Sequence, residues 1–409
     1  MKIVHLTTHV SGGAGSLASN IFKVSIKKKD QTNILISTET VGFNLILLLY
    51  LSLIYRLHDL VYSILGSFKL VEKKYLFFAL FPSFPFKKKF ENETSNVDIF
   101  FIYWVSRFYD SFDLRKLKFK NPKAKFIFFN MDEAPLTGGC HYKFGCKNFE
   151  NSCIECPAVN SHLIQNKISK EFKTKINTYS VLKPKFILPS SKYYTEFQNS
   201  VFLNKYSFII KPYGAYFEQE LNDFIKKRKT FLNRNYIKTN LLVRSSYEPR
   251  KGGQLFLDTI KKLSIGSTPL LDRFKLHVVG DNYLIENGIS KMINTQFHGI
   301  VNRNRLFELY AECDVFIVTS EEDSGPIMIN ECSGLGVYIL STDVGVASDL
   351  ITDENGKLYD RNSESLVESI KSLNHKNIRN FSRGHLKSED LNNLTFEKFY
   401  EEIINEITQ

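Results

Sequence analysis

Ser320-Glu321-Glu322-Asp323-Ser324-Gly325-Pro326-Ile327-Met328-Ile329-Asn330-Glu331 follows a short apolar run, Asp314-Val315-Phe316-Ile317-Val318, that reads as a buried strand. It leads into an apolar helix and then a second short strand at 337–340. Strand, loop, helix and strand in this order form a unit of a parallel sheet. Such a loop lies at the carboxyl end of a strand, where open α/β sheets bind ligands. Gly325 lets a phosphate come close to the backbone, and Pro326 suits a first helical turn. The amides of Ser324 to Ile327 then face outward at a positive helix end, which favours an anion. Asp323 and Glu331 are poor phosphate ligands but good acceptors for sugar hydroxyls. Together these features fit a sugar joined to a phosphate; an ordinary solvated acidic loop is the competing reading.

Outward from that loop the second half of the chain is regular. A strand at 240–243 leads to Arg244 and a polar loop, then to Lys251-Gly252-Gly253 and a helix bearing Phe256, Ile260 and Leu263. A strand at 274–279 ends at Gly280, and a short strand follows at 296–298. The spacing predicts a helix over 305–313 with Leu306, Leu309 and Tyr310 turned inward. In the first half, a strand ending at Thr8 runs into the loop His9-Val10-Ser11-Gly12-Gly13-Ala14-Gly15-Ser16 and a helix over 17–26. That glycine-rich turn resembles the opening of a Rossmann half, although it is not a full G-x-G-x-x-G. Further strands are expected at 32–37, 75–81, 98–104, 124–129 and 186–188, with Pro82 stopping the second. Alternating strands and helices predict a doubly wound parallel sheet in each half. Ile209 to Gly214 has linker chemistry. The expected division is a first domain over 1–210, a second over 211–388, and a helical tail over 389–409 that packs back toward the first.

At 409 residues, 43% apolar and 24% charged, the chain is long enough for two globular cores. Its net charge of +11 and its lysine clusters at 27–29, 87–89 and 226–228 favour phosphate-bearing partners or an anionic membrane surface. No nucleic-acid motif accompanies the charge. The start reads as a strand, without the apolar core of a signal peptide. One apolar run, 41–55, is short for a membrane span, which needs about 20 residues. It reads as a helix, either buried or lying against a membrane, and the buried reading is preferred.

Four of the six cysteines, Cys140, Cys146, Cys153 and Cys156, fall in the pattern C-H-x4-C-x6-C-x2-C. With no export signal, disulfides are disfavoured. A structural zinc on four thiolates is one reading. Free thiols are the other, since the first pair lacks the usual C-x-x-C.

Parallel strands bring Arg244, Lys251, Asp323, Ser324 and Glu331 to one sheet edge. Two cations and a helix end can bind a diphosphate and stabilise it as it leaves, without a metal or other cofactor. Arg244 offers a fork and Lys251 a point charge.

At these residues the chain resembles the retaining glycosyltransferases of family four, which have the GT-B fold. The resemblance rests on Arg244 with Lys251-Gly252, Val279-Gly280, Gly299, Asp314 to Ser320, Asp323-x7-Glu331, Val344-Gly345 and Asn355-Gly356. In the first half it rests on Gly12-Gly13, Asp132, Thr137-Gly138-Gly139-Cys140-His141-Tyr142 and Cys153-x-x-Cys156-Pro157, a stretch similar to colanic-acid-type transferases of bacterial surface polysaccharides. The resemblance implies two Rossmann-like domains facing each other across a cleft. It implies that Glu331 holds the nucleotide ribose, and that Asp323 with the Ser324–Ile327 backbone holds donor sugar and phosphate. Asp323 replaces the family's commoner Glu. Many relatives carry a His near Met131 that contacts the transferred sugar; Asp132 is the candidate for that contact here.

The expectation is therefore a nucleotide-sugar-dependent transferase acting with retention by front-face displacement. Its acceptor is a saccharide or lipid-linked saccharide, and its expected place is cytoplasmic, either in the cytosol, the preferred reading, or peripheral to the inner face of the membrane. A nucleotide-sugar epimerase of the same fold and a non-catalytic sugar-binding protein are the rivals.

Overall fold

Two parallel six-stranded sheets carry the chain, one in each of two compact units, Met1–Lys211 and Pro212–Gln409. The computed structural model describes residues 1–40, 45–78, 80, 83, 87–234, 237–266, 268–325, 327–386 and 393–409.

In the first unit the strands are β1 (Lys2–Leu6), β2 (Thr32–Ile36), β3 (Ile99–Ile102), β4 (Lys125–Phe129), β5 (Lys185–Leu188) and β6 (Ser207–Ile210), ordered β2-β1-β3-β4-β5-β6. In the second they are β7 (Thr239–Ser245), β8 (Phe274–Gly280), β9 (Thr295–Gly299), β10 (Val315–Val318), β11 (Tyr338–Ser341) and β12 (Gly356–Leu358), ordered β12-β11-β10-β7-β8-β9. The inner strands β3 and β10 are buried along their whole length, so their sequences are unbroken apolar runs, as a sheet covered on both faces requires. Phe100 and Phe101 are fully buried, and each contributes about 1.5–3 kcal/mol by leaving water.

The connections place the loops. After β7 the chain moves outward through β8 and β9, then returns to the other side of β7 as β10. The loops after β7 and β10 therefore leave adjacent strands in opposite winding senses, which opens a crevice at the carboxyl edge. In the first unit the same reversal falls between β1 and β3, and His9 after β1 stacks on Trp104 after β3 at 5.9 Å. The second sheet separates two cores, with Leu242, Phe316 and Ile339 on one face and Leu241, Val315 and Ile317 on the other.

Three sequence expectations are corrected or extended. Among the described residues of 75–81 there is no strand: Lys73–Tyr75 is a 3-10 turn, Leu76 adopts φ 47°, and Phe77 makes an isolated bridge, to Cys140. The left-handed Leu76 breaks the extended run. From Leu45 on, the apolar run read over 41–55 belongs to a longer helix, Leu45–Ser67. The side chains of 41–51 lie outside the described residues. Beyond them Tyr55, Tyr62 and Leu65 pack inward, whereas Leu53, Leu57, Leu60, Val61 and Ile64 are exposed. Most of the run read as buried thus lies outside the described side chains, and of its described end Leu53 is exposed while Tyr55 packs on the core. Among the described residues no helix is long and apolar enough to cross a membrane. The terminal helix is Phe396–Thr408; within the second unit Phe396 N–H donates to Tyr216 O at 2.7 Å, and Phe399 packs on Tyr213.

Candidate functional site

The loop after β7 is pressed against the loop after β10. Gly252 has φ 72°, and a Cβ there would come within 1.9 Å of Thr319 O, so only glycine allows the approach. Thr319 Oγ1 donates to Lys251 O at 2.9 Å, Glu321 N–H to Arg250 O at 2.6 Å, and Arg250 Nη1 to Glu322 O at 3.1 Å. Across this seam Lys251 Nζ pairs with Asp323 Oδ2, and both side chains are nearly buried. Burial pulls the Lys251 pKa down against the pull of Asp323. Burial alone would raise Asp323, but Lys251 and Arg250 together hold its carboxyl below the usual carboxylate range. Arg244, near the end of β7, is exposed and makes no ion pair among the described residues, which leaves its fork open.

Ser324 is buried and Ile327 begins the helix Ile327–Gly334. Pro326 lies outside the described residues. The structure thus brings Arg244, Lys251, Asp323, Ser324, Gly325 and Ile327 to one edge.

Glu331 lies on the buried side of the same helix. Tyr310 Oη donates to its Oε2 at 2.7 Å, and Arg303 Nη1 is 3.6 Å from its Oε1. Burial pushes its pKa up to about 7, against Arg303 and the Tyr310 hydrogen bond. Arg303 is itself held by Ala215 O at 2.7 Å and by Glu220 at 3.3 Å. Sequence reasoning missed Arg303, which carried no motif, and took Tyr310 for core.

In the first unit Gly12 and Gly13 are exposed at the start of the helix Gly12–Ser25, with open space around each Cα. The glycine that packing demands there is Gly15, where a Cβ would come within 2.5 Å of His9 O. At the carboxyl ends of β3 and β4 lies a cavity of about 540 Å³, lined by Phe78, Trp104, Arg107, Asp132 and Lys175 among others. Asp132 is committed inside it. Its Oδ2 accepts from Trp104 Nε1 at 2.7 Å and pairs with His141 Nδ1 at 2.5 Å, and its Oδ1 accepts from Ala134 N–H at 2.8 Å. Asp132 therefore fixes the lone tryptophan and His141; neither had been given a role. Lys175, from the helix His162–Leu182, donates to Ala134 O and Thr137 O, and burial lowers its pKa to about 8.

The four clustered cysteines line one small space in the first unit. Gly138 N–H donates to Cys153 Sγ at 3.2 Å. Burial pushes the Cys153 thiol up to about 11 and raises Cys140 and Cys156 as well. Among the described residues no three His, Cys, Asp or Glu side chains are grouped so as to hold a metal ion.

Residues 238–376 match the family model described as glycosyl transferases group 1. The comparison with curated proteins found no match. Among solved structures the chain is similar to sucrose-phosphate synthase from Thermosynechococcus elongatus, with 11% identity over 100% of this chain and 98% of that one, at TM-score 0.64. It is also similar to HepE of Anabaena in complex with UDP, with 14% identity over 100% of both chains, at TM-score 0.61. WaaG, a glycosyltransferase involved in lipopolysaccharide biosynthesis, aligns with 16% identity over 98% of this chain and 99% of that one, at TM-score 0.56. The fold is GT-B. The segment matched by the group 1 model contains Arg244, Lys251, Asp323 and Glu331, so the polar seam described above lies inside it.

Proposed function

We propose that the chain is a glycosyltransferase that takes a nucleotide sugar at the carboxyl edge of β7 and β10 and transfers the sugar with retention. The observation that carries this reading is the convergence of Arg244, the Lys251–Asp323 pair and the start of the Ile327–Gly334 helix at the switch point of a group 1 domain. Arg244 and Lys251 hold the diphosphate, and Asp323 presents a carboxylate to the sugar hydroxyls. Charge growing on the leaving diphosphate meets fixed cations and helix amides, without metal chemistry. The leaving phosphate oxygen takes the acceptor proton. HepE has been seen with UDP-glucose, which makes a UDP-sugar the first donor to test.

The cavity in the first unit is the acceptor pocket of this reading. Trp104 offers a face for a sugar ring, and the mixed charges of the lining, Arg107 and Lys167 with Asp110 and Glu171, offer donors and acceptors to its hydroxyls. The exposed apolar stripe of the Leu45–Ser67 helix, followed by Lys69, Lys73 and Lys74, supports a lipid-linked acceptor met at the inner face of the membrane, in surface polysaccharide assembly. Radiolabelled nucleotide sugars incubated with the protein and lipid-linked saccharides test the proposal. Label in a longer saccharide supports it. Epimerised donor, or binding without turnover, would replace it with one of its two rivals.

A further inference from the structure

A second polar cavity, of about 490 Å³, opens at the other end of the second sheet. It is lined by Asn240 of β7, Lys275 and His277 of β8, Gln296 of β9, the preceding Lys238, and Arg305 of the helix Arg303–Glu312. Asn240 lies four residues before Arg244 on one strand, about 13 Å along it. The cavity is therefore separate from the donor edge.

The register makes this a built feature. Asn240 pairs with Lys275, and His277 with Gln296, so these side chains are neighbours on one face of the sheet. Further along the same face stand Leu242 and Val279, which belong to the core beneath the helices Glu218–Leu232 and Arg303–Glu312. A face that turns from apolar to polar under its own covering helix calls for partners for those polar groups.

Those partners are incomplete. Lys238 and Lys275 make no ion pair among the described residues. Glu312 is the acidic side chain lining the cavity, against three cations, of which Arg305 also pairs through Nη1 with Glu308 Oε2 at 3.1 Å. His277 is only 6% exposed; its Nδ1 meets His298 Nε2 at 3.0 Å, and its Nε2 is buried without a hydrogen-bond partner. Burial first, then Lys275, His298 and Arg305, lower the His277 pKa to about 3. At neutral pH the ring is thus uncharged, and the tautomer in which His298 donates to Nδ1 leaves an N–H at Nε2 to offer. Two unpaired ammonium groups, a guanidinium and a buried N–H converging on one space are complementary to a tetrahedral oxyanion.

We propose that this cavity binds a phosphate group, at a site distinct from the one that takes the donor diphosphate. Lys238 and Lys275 supply charge, Arg305 a fork, and His277 Nε2 a hydrogen bond. The group belongs either to a phosphorylated small molecule or to a lipid headgroup, which share this chemistry.

The test uses the full chain with its donor site filled by saturating UDP. Inorganic phosphate titrated at constant ionic strength is expected to bind with one further equivalent per chain. In the double variant Lys238→Gln/Lys275→Gln that binding should weaken at least tenfold, with UDP affinity unchanged. Failure of UDP to bind would count against the donor assignment only, and phosphate would then be titrated alone. In a second arm, vesicles containing phosphatidic acid are sedimented with each protein. Pelleting that the double variant loses would assign the phosphate to a lipid. No phosphate binding and no variant-sensitive pelleting, or phosphate binding that the double variant retains in full, would overturn the site.

Discussion

Lys251 and Asp323 neutralise each other in the structure, and Arg244 stands open beside them. On the proposed function, an incoming diphosphate would offer Lys251 a stronger partner and free Asp323 for sugar hydroxyls. Arg244→Ala and Lys251→Ala should each lower kcat by roughly 10²–10³ with the fold intact. Near-full kcat at saturating donor in either variant would refute the phosphate assignment. Glu331 makes a prediction with a sign. Its carboxyl has a folded pKa near 7 against an ordinary 4.5, raised by burial. The group favours folding while protonated, and that advantage is lost as pH rises through about 7. A rise of this size corresponds to roughly 3 kcal/mol. Glu331→Gln removes the loss, so the ligand-free variant should melt higher than wild type at pH 8. Ribose hydroxyls, by contrast, donate to the ionised form. UDP should therefore bind wild type more tightly as pH rises from 6 to 8, and this rise should be absent in Glu331→Gln. Parallel pH profiles, measured by calorimetric titration, would make Glu331 a structural carboxylate.

At the scale of elements, local pattern carried much of the fold. The strands β3, β4 and β10 were legible because strands buried on both faces are apolar nearly throughout, and that leaves a continuous run. The Leu45–Ser67 helix was read only to Tyr55, because Arg56, His58 and Asp59 interrupt the run; in the structure Arg56 and Asp59 are exposed and the helix continues. Its exposed Leu57 and Leu60 should make the protein pellet with anionic vesicles. The effect should fall steeply with salt, at about 1 kcal/mol per nearby cation, and be lost in Leu57→Glu/Leu60→Glu. No pelleting, or pelleting that ignores both substitutions, would remove the membrane contact. The thiol loop carries a separate expectation. With Cys140, Cys153 and Cys156 held neutral by burial, alkylation at pH 8 should be far slower in native than in unfolded protein. Metal analysis of untagged protein decides between the two readings of the loop: about one zinc per chain would show that its four thiolates close around an ion, and none would leave free thiols.

Across the molecule, the chemistry-bearing residues of the second unit were legible because the sheet topology collects strand ends that the sequence scatters. Arg244 and Asp323 are far apart in the chain, yet β7 and β10 are neighbours. What stayed hidden were contacts that no local spacing encodes. The bonds that tie Asp132 to Trp104 and His141 had no counterpart in the sequence pattern. Arg303 reaches Glu331 from another helix. The polar face of β7 to β9 was invisible because each strand, read alone, looks like an ordinary edge segment.

The central claim, that the seam between the loops after β7 and β10 is a nucleotide-sugar site, is tested most directly by titrating UDP into the intact protein and into Lys251→Ala. The account predicts saturable binding at one site in the wild type, weakened at least tenfold in the variant while its melting temperature stays within a few degrees. Equal affinity in the two proteins would contradict it.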